Sequence, residues 1–255
     1  MIQLFNTILY QPLLNLLVFF YNVIPGSDMG VAIILLTVVI KLILYPLSAQ
    51  SIKGQKALQQ LQPKIEEMKK KYKDDRERQA KELMQLYKNE HVNPLSSCLP
   101  LLIQLPILIA VYQVFITGLK NGSLDLLYPF IKNPGQLNAV AFGFLDLSQP
   151  NIVLALLAGA AQFWQAKMLS VKKPAVKSVG AKDENLMAAM NKQMLYFMPL
   201  MTVVIGVSLP GGLVLYWFLI TLLTALQQVI MFRKNKKNGS NQNPPAVIEG
   251  EKVSN

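Results

Sequence analysis

The chain has 255 residues, of which 39 are charged (25 basic and 14 acidic, 15%) and 52% are hydrophobic, with a mean hydropathy of +0.33. Soluble domains carry about 25% charged residues, so the deficit points to lipid as the solvent for much of the chain. One Cys and one His exclude a disulfide framework and a four-ligand zinc site, and the net charge of +11 is meaningful only by where it falls.

Residues 4–24 open the chain as an apolar segment interrupted by Asn6, Thr7, Gln11, Pro12 and Asn15. The uninterrupted part, residues 16–20, is far too short to span, so residues 1–29 are predicted to hold an external interfacial amphipathic helix. The start has no basic n-region, no A-x-A site and no Cys for a lipid anchor, and no removable signal peptide is expected.

Five apolar runs of membrane-spanning character follow, at about residues 30–47, 99–119, 152–169, 194–209 and 213–232. The connections alternate in charge. Residues 48–98 hold 11 Lys/Arg, residues 166–193 hold 6 and the tail from Arg233 holds 5, against none in residues 1–29 and two, Lys120 and Lys132, in residues 120–151. The positive-inside rule then puts the N-terminus outside and the C-terminus in the cytosol, a parity that requires an odd number of spans. The fold class expected is an all-α integral membrane protein with a core over residues 30–232, and, with the signals of an organelle transit peptide and of a secreted form both lacking, a plain inner-membrane protein is expected.

Within that core, residues 51–90 are predicted as a cytosolic antiparallel helical hairpin. Leu58, Leu61, Ile65, Met68 and Tyr72 recur at a 3-4-3-4 spacing, and after a charged break Ala80, Leu83 and Tyr87 resume it. Pro63 is expected to bend the first helix and begin its outer piece. The hairpin reads equally as a solvated spacer or as a docking element for a ribosome, a targeting factor or a nascent chain. Residues 233–255, rich in Asn, Gly, Ser and Pro with a basic start, read as a disordered cytosolic tail.

No Asp or Glu falls within a span, which argues against acid-dyad proteolysis and carboxylate proton relays. The one charge lying well inside a span is Lys41, with Lys167 counted in the connection that follows it. Lys41 either snorkels to the interface or faces a wet cavity. Gln104, Gln113, Gln162, Gln165, Thr202, Thr221, Thr224, Gln227 and Gln228 add amides and hydroxyls to the spans, and Pro100, Pro106 and Pro199 loosen their packing, which together suggest a polar interior. Met187, Met190, Met194, Met198 and Met201 form one stripe, read as core packing.

Four strings, MGVAIILLTVVIKLILYPLSAQS, LQPKIEEMKKKY, NPLSSCLPLLIQLPILIAVYQVF and YFMPLMTVVIGVSLPGGLVLYWFLITLLTALQQ, resemble in order the core of the YidC/Oxa/Alb membrane protein insertase family, in its compact form without a large periplasmic domain. The resemblance implies a five-span bundle with an outer amphipathic helix, a cytosolic hairpin and a hydrophilic groove open to cytosol and lipid. It implies a non-enzymatic insertase and chaperone that takes nascent membrane proteins as substrates, meets membrane lipid, and has the ribosome and the Sec translocon as candidate partners. Lys41 stands where the family usually has Arg, keeping the charge but losing the planar fork. Gln104 and Trp217 match polar and aromatic groove positions of the family, while Gln162 and Gln165 join the candidate groove from the polar count alone. No nucleotide motif, catalytic constellation, cofactor site or metal site is visible. The alternative reading is a small-solute or anion transporter using Lys41, which an internal repeat of spans would support; none is found.

Overall fold

The computed structural model describes residues 2–93, 99–118, 123–170 and 193–239. The basic residues at 172–192, Met187, Met190 and the tail beyond residue 239 lie outside the described residues. Helix dominates. Helix α1 (Ile2–Phe5) runs through a π-turn (Asn6–Tyr10) into α2 (Gln11–Val23), followed by α3 (Met29–Ile43), α4 (Tyr45–Lys71), α5 (Arg76–Asn89), α6 (Leu99–Gly118) and α7 (Ile152–Leu169). A second π-turn (Gln193–Phe197) leads into α8 (Met198–Gly206), and α9 (Gly211–Gly239) closes the described chain. Between α6 and α7 two short antiparallel strands, β1 (Val140–Ala141) and β2 (Leu145–Asp146), pair Val140 with Asp146 and Ala141 with Leu145.

Helix α9 is the centre of the bundle, packed on α7, α3 and α6, while α8 lies along α7 and α2 along α3. One apolar core joins them through Leu14 and Leu17, Ile33 and Leu36, Val111 and Phe115, Ala158, and Val214 with Tyr216. Lipid supplies no hydrophobic force between helices, so close approach at small residues has to do that work. A Cβ on Gly159 would come within 2.4 Å of Val203 Cγ2, and one on Gly212 within 2.5 Å of the Phe115 ring.

The helix lengths modify the expected spans. By length and apolarity, Gln3–Val23, Ile152–Leu169 and Gly211–Arg233 can each cross a bilayer, and Met29–Ile43 with Tyr45–Lys71 forms a further, bent candidate. Leu102–Thr117 and Leu195–Gly206 are shorter apolar helices. The first segment is therefore not too broken for a long helix. Pro12 follows directly on the π-turn, in which Gln11 N pairs with the Asn6 carbonyl, and this wider turn accommodates the N–H that the proline lacks.

Its polar side chains are used on a neighbour. Gln11 Nε2 and Asn15 Nδ2 both donate to the Leu126 carbonyl at 3.1 Å, Asn15 Oδ1 accepts from Tyr128 N at 2.6 Å, Asn22 Nδ2 donates to the Lys132 carbonyl at 2.7 Å, and Tyr21 OH accepts from Asn138 N at 3.0 Å. One face of α2 thus carries the connection between α6 and α7. Substituting Asn15→Leu, near in shape but without the amide, strands the Tyr128 N–H and is expected to cost about 2 kcal/mol, read as a lower midpoint of thermal unfolding in detergent.

The helix interruption that sequence placed at Pro63 is absent, and a sharp turn lies earlier in the chain. Helix direction turns by 67° between α3 and α4, at Leu44, where Pro46 in the first turn of α4 has no N–H to continue the α3 ladder. Residues 44–47, expected as the end of the first span, therefore belong to the turn and to the next helix. Pro63 instead lies inside an unbroken α4. Leu61 and Ile65, on either side of it, are buried, and burying two such side chains is worth roughly 3–6 kcal/mol against about 3 for an internal proline.

Helix α5 starts on an Asp75 cap, whose carboxylate accepts from Arg78 N at 2.9 Å, and lies against α4. Gln79 Nε2 donates to the Lys69 carbonyl at 3.0 Å, and Lys64 pairs with Glu90. Half-burial at Leu83, Leu86 and Tyr87 marks the contact side, and burial raises the Tyr87 phenol above its ordinary value. Ala80, expected on the seam, is exposed. Met198 of the expected core stripe is exposed as well, at 49%.

A polar cleft at one end of the bundle

Four helices besides α4 meet around a cleft of about 80 Å³ at the C-terminal end of α3. Its lining comes from Lys41 and Leu44 at the α3 end, Leu47, Ser48, Ile52 and Gln55 from the first turns of α4, Ile103 and Gln104 from α6, Gln165 from α7, and Ile220, Thr224 and Gln228 from α9. The 67° bend creates the space. A straight continuation of α3 would carry Ser48 and Gln55 on past the end of the bundle, whereas the turn at Leu44 brings α4 against α6, α7 and α9.

Lys41 sits in the last turn of α3, two residues before its end, where a cation also meets the negative end of the helix dipole. Its ammonium donates to Thr224 Oγ1 at 2.8 Å, and that hydroxyl passes its own proton to the Ile220 carbonyl at 2.7 Å, so the threonine oxygen is oriented as an acceptor. Gln104 Nε2 donates to the hydroxyl of the fully buried Tyr216 at 2.8 Å. Ser48 Oγ reaches Gln227 Oε1 at 3.0 Å, tying α4 to α9. Two buried amide atoms, Gln228 Oε1 and Gln227 Nε2, have no protein partner. No carboxylate is among the lining residues, so the local charge is that of Lys41. Among the described residues no group of three or more His, Cys, Asp or Glu is placed to hold a metal.

Of the five residues singled out from sequence, the structure brings Lys41, Gln104 and Gln165 together. Gln162 accepts a hydrogen bond from Thr202, so its amide serves the contact between α7 and α8. Trp217 is half-buried on α9 and does not line the cleft. The lining residues outside those five include Ser48 and Gln55, with Thr224 and Gln228, which the polar count of the spans names without assigning them to the groove. A signal for the last two was available, since Ile220, Thr224 and Gln228 recur every four residues and mark one face of α9. Ser48, Ile52 and Gln55, spaced four and three, mark one face of α4, and gave no such signal while that stretch was divided between a span and a hairpin.

Bundle and cleft together define a mostly helical membrane protein with a polar recess at one end of an apolar core. Residues 19–238 match the family described as 60Kd inner membrane protein, and the chain belongs to that family. The ordered motifs point the same way. Similar proteins include the membrane protein insertase YidC of Actinobacillus pleuropneumoniae serotype 3 (strain JL03), 37% identical over 232 residues, which are 90% of this chain and 37% of that protein. The membrane protein insertase YidC of Mannheimia succiniciproducens is 37% identical over 223 residues (86% of this chain, 36% of that protein), and that of Haemophilus influenzae (strain PittEE) 36% over 232 residues (90% and 37%). The chain spans a little over a third of the length of these relatives.

Proposed function

We propose that the chain is a membrane protein insertase and chaperone, in which the cleft receives the polar tail of a nascent membrane protein while its apolar segment passes into lipid beside the bundle. The observation that carries this reading is the cleft itself, a cation and an unpaired amide oxygen, that of Gln228, held at the end of an apolar core. An unpaired buried amide atom costs about 1–3 kcal/mol, which water removes, so Gln228 Oε1 favours a hydrated recess. A hydrated recess shortens the low-dielectric path a polar tail must cross in a bilayer core about 30 Å thick. Apolar transfer of the substrate segment supplies the driving force without a nucleotide.

The same reading uses five spans, built on α3, α6, α7, α8 with its π-turn, and α9. Helices α1 and α2 lie at the outer interface: the connection at residues 126–138 follows α2 from Gln11 to Asn22, and non-helical backbone of this kind is excluded from exposure to hydrocarbon. Helices α4 and α5 form the cytosolic hairpin, and the basic segments, 22 of 25 Lys/Arg, put the cleft end of the bundle in the cytosol. Nascent membrane proteins and lipid are the partners, with the ribosome and the Sec translocon meeting the hairpin and basic tail.

Purified protein in liposomes is expected to promote insertion of a single-span substrate with a short polar tail; insertion equal to that of empty liposomes would refute the reading. For topology, a Cys at Lys71 in a Cys98→Ser background is expected to be silent to an impermeant maleimide added outside cells, whereas a Cys at Asn133 reacts.

A further inference from the structure

The end of α3 opposite the cleft carries a feature that neither the bundle nor the cleft explains. Asp28 caps α3, accepting from Val31 N at 2.9 Å through one carboxylate oxygen and from Phe142 N through the other. Phe142 belongs to the turn joining β1 to β2, closed by Phe144 N donating to the Ala141 carbonyl at 3.2 Å. This turn rests on the first turn of α3: a Cβ on Gly30 would stand 2.6 Å from Ala141 Cβ and 3.0 Å from the Phe142 ring. The tip is thereby fixed roughly 17 Å along the helix axis from Lys41, at the level where α3 begins.

Its residues are wrong for a turn in water. Both central positions have positive φ, +54° at Phe142 and +78° at Gly143, the requirement of a type I′ turn, for which Asn-Gly is the ordinary choice. A bulky aromatic in the left-handed region is strained, yet here it is followed by Gly and a second aromatic. Phe142 is 46% and Phe144 82% exposed, so the protein core does not compensate. The next polar group, Asp146, accepts from the hydroxyl and the backbone N–H of Ser148, which hold its carboxyl below the usual carboxylate range and keep that side of the turn charged and wet. An apolar tip beside a charged base, at the level of a helix start, matches the headgroup–acyl boundary of a bilayer, where apolar side chains such as Phe bury while their polar neighbours stay in water.

We propose that the Phe142–Phe144 turn is a lipid contact: its two rings lie in the headgroup–acyl boundary of the leaflet at the α3 start, anchoring that end of the helix through the Asp28 and Gly30 contacts. The proposal needs a bilayer around the bundle and is independent of the insertase reading. Its strain and exposure are both accounted for when the rings have lipid as their partner.

Spin-labelled Phe144→Cys in a Cys98→Ser background, reconstituted in phosphatidylcholine–phosphatidylglycerol vesicles, tests it by power saturation against oxygen and a water-soluble nickel chelate. The reference labels are Asn133→Cys, in an exposed loop, and Leu157→Cys, on the exposed face of α7. The oxygen-to-nickel ratio at position 144 is expected to exceed that at 133 by several-fold and to approach that at 157. A ratio equal to that at 133 would place the tip in water, and a label shielded from both reagents would place it against protein; either overturns the lipid contact. Adding Phe142→Asn supplies the ordinary Asn-Gly turn and removes one ring, and the ratio at 144 is then expected to fall at least twofold. An unchanged ratio would remove Phe142 from the contact.

Discussion

On the insertase reading proposed above, replacing Lys41 by alanine is expected to slow the insertion of a substrate with an acidic translocated tail by about tenfold, while a substrate whose tail is uncharged is expected to insert at close to the normal rate. The magnitude follows from Coulomb's law: a pair of unit charges about 4 Å apart gains roughly 1 kcal/mol in water and about 4 at an effective dielectric of 20, and a hydrated recess lies nearer the first value, where about 1.4 kcal/mol is a factor of ten. Lys41→Glu is expected to be slower than Lys41→Ala for the acidic tail, because repulsion replaces attraction. Lys41→Arg is expected to retain insertion, since it keeps the positive charge and a donor for Thr224 Oγ1, which accepts from the ammonium at 2.8 Å. Raising the salt from 0.05 to about 0.5 M should shrink the difference between wild type and Lys41→Ala, as screening does for a charge in contact with water. Reconstituted liposomes with neutral and acidic versions of one substrate provide the measurement. Equal loss on both tails would make Lys41 a packing residue, its bond to Thr224 holding α3 against α9.

The largest effect on stability is expected at Gly159→Val. The added Cβ would lie 2.4 Å from Val203 Cγ2 and 3.1 Å from the Pro199 carbonyl, and that backbone oxygen belongs to a helix already short of an N–H at Pro199 and unable to move alone. Overpacking of this kind costs about 1–3 kcal/mol, and a β-branched residue adds the loss of rotamers that would relieve it. The variant should unfold at a lower temperature in detergent, with α8 the first element to gain proteolytic access. Gly206→Ala, whose Cβ would meet Ala155 Cβ at 3.0 Å, is the milder control on the same seam. If Gly159→Val is as stable as wild type, α8 is free to shift along α7 and the small-residue seam does not hold it.

Much of the architecture was legible in the sequence because lipid imposes a coarse code. A run of apolar residues has to satisfy its backbone internally and therefore becomes helix, which made α6, α7 and α9 readable to within a few residues, apart from the extension of α9 beyond residue 232. The reading failed where polar or helix-breaking residues had partners far along the chain. Gln11, Asn15 and Asn22 made the first segment look discontinuous, yet they hydrogen-bond a connection more than 100 residues away. Pro63 looked like a helix end, and Leu61 and Ile65 kept the helix intact by burial. Local strings carry no record of such contacts.

The candidate site divides in the same way. Sequence by itself determined that a lone cation, Lys41, stands among apolar residues, that amides recur in several helices, and that basic connections alternate with nearly uncharged ones, since all three are properties of composition and order. Only the tertiary structure decided which amides share a space with that cation. Gln104 and Gln165 face it, Gln162 is turned to Thr202 and Trp217 lies elsewhere, because helix rotation is set by packing at residues such as Gly159 and Gly212. The cleft itself exists because α4 turns by 67° at Leu44, a geometry to which Pro46 contributes locally but whose direction is chosen by the helices that α4 crosses.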